Sequence, residues 1–88
     1  METKAINKEV NVTAWYFSSR RKRLLSYPKR IEYNDQEYTF ADGLRLLVQK
    51  GKQAVQLFDM TDGVSDFRLQ LDAEQSWTLL SISQARTA

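Results

Sequence analysis

The pair Asp62-Gly63 and the residues after it constrain this chain more than any other feature. Asp-Gly suits a tight turn that needs positive φ, and Phe67, Leu69 and Leu71 then alternate with Arg68, Gln70 and Asp72. A period of two puts every apolar residue on one side of an extended segment. Residues 65–71 are therefore expected to be a half-buried strand that folds back on a strand over 54–60. After 73–76 the run Trp77–Ile82 completes a three-stranded meander.

Upstream, Val10–Ser18 is rich in β-branched and aromatic residues and reads as a strand. One side carries Val10, Val12, Ala14 and Tyr16, the other Asn11, Thr13, Trp15 and Phe17. If the first set faces the core, Trp15 and Phe17 stand on the outside. A polar basic run follows and is expected to be a hairpin loop. Leu24–Tyr27 reads as a short strand stopped by Pro28, which cannot donate to a ladder. Short extended pieces at 30–33 and 37–40 flank Asn34-Asp35, both tolerant of the left-handed conformation a turn requires.

Between these halves the spacing predicts a helix over 40–50. Phe40, Leu44, Leu47 and Val48 fall on one helical stripe, Thr39 and Asp42 resemble a capping pair, and Gly51 is placed to end the helix. The expected order is β-β-β-α-β-β-β. The fold class is thus α+β, one domain over 1–88, its helix packed on or plugging a curved, mostly antiparallel sheet. The polar ends, 1–8 and 84–88, are expected to fray.

With 88 residues there is room for one core, and 42% hydrophobic with 27% charged residues is ordinary for a globular chain. The absence of Cys and His removes disulfides, thiolate and imidazole metal ligands, any cysteine nucleophile and the commonest general base. The segment Asp59–Gly63 has some character of a calcium loop but lacks the spacing and the terminal Glu of one. Asp59 and Asp66 are expected to face each other across the hairpin, and Asp35, Asp62 and Asp72 to serve turns. The expectation is a protein that is not an enzyme and uses no cofactor, metal or small-molecule substrate. Without an apolar leader or a run near the roughly 20 residues of a membrane helix, no membrane association is expected and the cytoplasm is the expected compartment.

Charge is unevenly spread along the chain. Residues 1–34 hold Lys4, Lys8, Arg20, Arg21, Lys22, Arg23, Lys29 and Arg30 against Glu2, Glu9 and Glu32, whereas the remainder is net acidic. The basic residues interleave with rings, and single-strand-binding surfaces combine a cationic track with aromatic platforms. Arg20, Arg21, Lys22, Arg23, Lys29 and Arg30, with Trp15, Phe17 and Tyr27, are therefore the candidate nucleic-acid-binding residues. Alternatively the cations keep a sheet edge soluble, and the rings are core. A second function class is a protein-interaction or homodimerising module that uses an exposed sheet edge or apolar patch; an acidic protein is a further possible partner for the basic run.

Overall fold

The computed structural model describes residues 3–20 and 23–84, less the side chains of Arg20 and Lys50. Eight strands account for most of them: β1 (Thr3–Glu9), β2 (Asn11–Arg20), β3 (Arg23–Tyr33), β4 (Gln36–Thr39), β5 (Asp42–Lys50), β6 (Gln53–Thr61), β7 (Ser65–Leu71) and β8 (Trp77–Gln84). They form a five-stranded sheet, β1-β8-β7-β6-β5, and a three-stranded sheet, β2-β3-β4. Every pairing is antiparallel. None of the described residues forms a helix long and apolar enough to cross a membrane.

The expected α+β class is therefore overturned: among the described residues the fold is all-β, and the helix expected over 40–50 does not form. Residues 42–50 are instead the edge strand β5, paired with β6 from Asp42↔Thr61 to Lys50↔Gln53 around a turn in which Gly51 has φ 60°. The N-terminal stretch expected to fray is also ordered from Thr3, as β1 paired with β8. At the other end β8 runs to Gln84, and residues 85–88 lie outside the described ones. Pro28 does not stop a strand either. It lies within β3, and β4 pairs with β3 only from Arg30 onward, so at Pro28 one side of the strand is open and a missing N–H is tolerated.

The two sheets are linked by bent strands rather than by loops. β1 and β2 are separated by Val10 alone, and β4 and β5 by Phe40-Ala41. At the first bend Val10 N–H donates to the Trp77 carbonyl at 3.0 Å. At the second, Phe40 N–H donates to Lys29 at 2.8 Å and Ala41 N–H to Thr61 at 2.7 Å, so consecutive residues bond to opposite sheets. Followed through these bends, the neighbour relation runs from β1-β2 through β3, β4-β5, β6, β7 and β8 back to β1. That is the circuit of a flattened barrel, left incomplete among the described residues because no strand pairing joins the edge strands β1 and β5 of one sheet to β2 and β4 of the other.

The core lies between the sheets. Val10, Tyr27, Ile31 and Phe40 meet Phe58, Met60, Phe67, Leu69 and Leu79, all buried. Two ring clusters cross the interface. Tyr16 stacks on Tyr27 at 5.3 Å, Tyr27 meets Phe58 edge-on at 6.0 Å, and Phe58 touches Trp77 at 5.1 Å; Phe67 contacts both Tyr38 and Phe40. The alternation read in 65–71 is realised, with Phe67 and Leu69 buried and Leu71 packed against them. Asn34 and Asp35 both have positive φ and close the β3–β4 hairpin at Tyr33↔Gln36.

Candidate nucleic-acid interface

The β2–β3 hairpin is the longest element in the molecule, and its register assigns each candidate residue a side. Val12↔Ile31 and Tyr16↔Tyr27 face the core; with the register shifting on either side of Ala14, Asn11↔Glu32, Trp15, Phe17↔Ser26 and Ser19↔Leu24 lie on the other side, where Pro28 opposite Trp15 is buried. Trp15 and Phe17 retain 52% and 66% of their surface. At a rise of about 3.3 Å per residue, two positions on one side of a strand are separated by roughly 6.6 Å. Leu24, 70% exposed, lies diagonal to Phe17 and extends the apolar outer stripe toward the hairpin end. It is a surface residue the sequence reading missed. The available signal was the alternation of Leu24 and Ser26 against Leu25 and Tyr27.

Tyr27 leaves the candidate site. It is 2% exposed and sandwiched between Tyr16 and Phe58, so it holds the core and offers no platform. Lys29 is likewise committed inward. Its Nζ donates to the Phe40 carbonyl at 2.9 Å and lies 5.7 Å from the centre of the Tyr16 ring, which ties the hairpin to the second bend. A lysine at this position satisfies a carbonyl at the corner and gains a cation–π contact.

Arg30 shares the outer side with Trp15, one row further from the hairpin end. Its guanidinium lies 3.9 Å from Glu37, a loose and partly exposed ion pair. Glu32 and Glu37 stand directly opposite each other, so Arg30 also offsets a like-charge cross-strand pair. Arg23 is exposed and pairs in register with Arg20 at the last described row, on the side of β3 opposite the outward Leu24 and Ser26. Arg21 and Lys22 lie outside the described residues. The outer stripe of rings thus has Arg30 at one end, with acid beyond it. Of the named cations with described side chains, Arg30 alone shares the rings' side.

The outer side of the five-stranded sheet carries a second feature, an open depression of about 540 Å³ lined by Thr3, Asp42, Asp59, Arg68, Ser81 and Ser83 among others. Asp59 faces Arg68 and not Asp66, contrary to the sequence expectation; Asp66 is opposite Thr61. Arg68 Nε and Nη2 donate to the two Asp59 oxygens at 2.7 and 2.9 Å, and this bidentate pair holds the Arg68 pKa above its ordinary value. Asp59 and Arg68 therefore answer each other, while Asp42 and Asp66 also line the depression and leave its side chains net acidic.

No protein-family model, curated protein or solved structure matches this chain.

Proposed function

We propose that the chain is a non-enzymatic accessory protein that binds single-stranded nucleic acid along the outer side of the β2–β3 hairpin. The observation that carries this reading is the exposure of Trp15 and Phe17 side by side on an outer stripe that begins at Arg30, on a strand that leads in sequence into the basic run Arg20–Arg23. Bases stack on the two rings, and phosphates are met by cations at the ends of the stripe. From the Arg30 row to the Arg20 row the hairpin spans roughly 23 Å at the strand rise, room for a few nucleotides. The acidic pair Glu32 and Glu37 bounds the site at its far end by repelling phosphate.

The affinity should fall with salt, with a log-log slope of about −2 to −3.5 for three to five neutralised phosphates on a single strand. A labelled mixed-sequence oligonucleotide, titrated by fluorescence anisotropy at two salt concentrations, reads this directly. Trp15→Ala or Phe17→Ala is expected to weaken binding roughly tenfold to a hundredfold, as the loss of one stacked base does. Neither change should alter the unfolding midpoint by much, since both rings are mostly exposed. The reading fails if the oligonucleotide does not bind at low salt. It also fails if binding is indifferent to both ring substitutions and to replacement of Arg20–Arg23 by serine.

A further inference from the structure

Of the two edge strands of the five-stranded sheet, β1 and β5, the nine-residue β5 has a self-complementary sequence. An unpaired edge of this length presents a row of N–H and C=O groups to any strand that can match it. Natural edges usually suppress such pairing with proline, inward charge or brevity. β5 has no proline and a single inward charge, Arg45, which is held over the Phe58 ring, and Leu44, Leu46 and Leu47 on it are 54%, 45% and 75% exposed. On its outer side Leu46 and Val48 lie beside Leu57 and Val55 of β6, so the apolar stripe is two strands wide.

Two copies joined through this edge by a two-fold axis normal to the sheet run antiparallel and keep their outer sides together, which restricts the register to pairs of equal parity. In the register centred on Leu46, each Leu46 meets its own copy, Leu44 meets Val48 and Arg45 meets Leu47. Asp42 then comes opposite Lys50 at both ends. Moving the centre to position 45 sets arginine against arginine; moving it to 47 sets Lys50 against Leu44. Only the first of these satisfies both end charges. The free edge of β2 has no such pattern, since its cation is at one end with no acid at the other.

We propose that β5 is a homodimerisation edge, pairing antiparallel with β5 of a second copy about Leu46 to form one continuous ten-stranded sheet. The occupant is a second copy because the sequence of the edge complements itself in charge and in apolar pattern. The outer hairpin surface proposed for nucleic acid is on the other sheet and is independent of this edge.

The chain has no cysteine, so a single introduced thiol reports the register. Directly opposed residues have Cα atoms about 4.5–5.5 Å apart, within disulfide range, whereas positions 44 of the two copies are separated by roughly 13 Å along the strand. Leu46→Cys is expected to crosslink the dimer under mild oxidation. Leu44→Cys alone should not, and Leu44→Cys with Val48→Cys should. In sedimentation equilibrium, Asp42→Lys or Lys50→Asp should weaken dimerisation roughly tenfold, because each makes two like-charge pairs from two attractive ones, and the double exchange should restore it. A strict monomer at hundreds of micromolar overturns the proposal. So does a dimer that fails to crosslink through position 46 or that ignores both single charge reversals.

Discussion

Replacing Gly43 by alanine tests the strand that the sequence disguised as a helix, because the two structures predict opposite signs. In an exposed helix interior, Gly→Ala stabilises by about 1 kcal/mol through reduced chain entropy and better propensity. In β5 a Cβ at position 43 would come within 2.6 Å of Met60 Cε, closer still to its Sδ, and 3.0 Å from the Asp59 carbonyl oxygen. Met60 is fully buried and pairs directly with Gly43, so its side chain has no solvent to move into. Overpacking of this kind costs about 1–3 kcal/mol, offset by up to about 1 kcal/mol from the entropy that glycine forfeits in a strand. The net expectation is a loss of roughly 0.5–2 kcal/mol, or a melting temperature lower by about 2–15 °C for a domain of this size. Urea unfolding followed by tryptophan fluorescence reads the change in midpoint at constant slope. The cause is isolated by shortening Met60 to valine, which removes both clashing atoms. In that background Gly43→Ala should cost nothing or stabilise slightly, giving a coupling of about 1–2 kcal/mol. Stabilisation by Gly43→Ala in the unaltered protein, or strict additivity with Met60→Val, refutes the close approach and the strand pairing that creates it.

Two further substitutions probe the turns. Asp35 has φ 62° and closes the β3–β4 hairpin, so Asp35→Gly should stabilise by a few tenths to about 1 kcal/mol, whereas Asp35→Val should destabilise; thermal melts of the pair give the sign. Asp72 Oδ1 accepts from Glu74 N–H at 2.9 Å and Ser76 N–H at 3.0 Å, so Asp72→Ala should cost about 1–2 kcal/mol in urea unfolding while Asp72→Asn keeps most of the stability; equal losses would place the effect in charge and not in the turn.

The parts of the fold that were legible in the sequence are those whose cause is local. Phe67, Leu69 and Leu71 alternate because one side of β7 is core. Asn34-Asp35 makes a turn because both residues accept positive φ, and Gly63 takes φ 95° in the loop between β6 and β7. The candidate site was half legible by the same logic. The parity of β2 separates Trp15 and Phe17 from the core, but nothing local says that Tyr27 meets Phe58 edge-on or that Lys29 bonds a carbonyl eleven residues away. Those facts belong to the packing of one sheet on the other.

The missed strand shows why local chemistry can mislead. Asp42 does accept a nearby amide, Gly43 N–H at 2.8 Å, and Gly51 does adopt positive φ, as a capped and terminated helix would require. In the folded chain the same two devices begin and end an edge strand. The residue that fits the helical stripe badly is Leu46: beside Leu44, Leu47 and Val48 it makes the segment apolar on nearly every side. A helix so placed would leave Leu46 stranded in water. A strand assigns Leu44, Leu46 and Val48 to one side, next to Leu57 and Val55, and leaves only Leu47 and Arg45 on the other, with the Arg45 guanidinium 5.9 Å from the centre of the Phe58 ring. What decides between them is non-local, namely the close approach of Met60 that only a glycine at 43 admits and the complementary strand at 53–61. The exposed leucines that remain are then not an error of packing. They are what the proposed pairing of β5 with a second copy would partly cover.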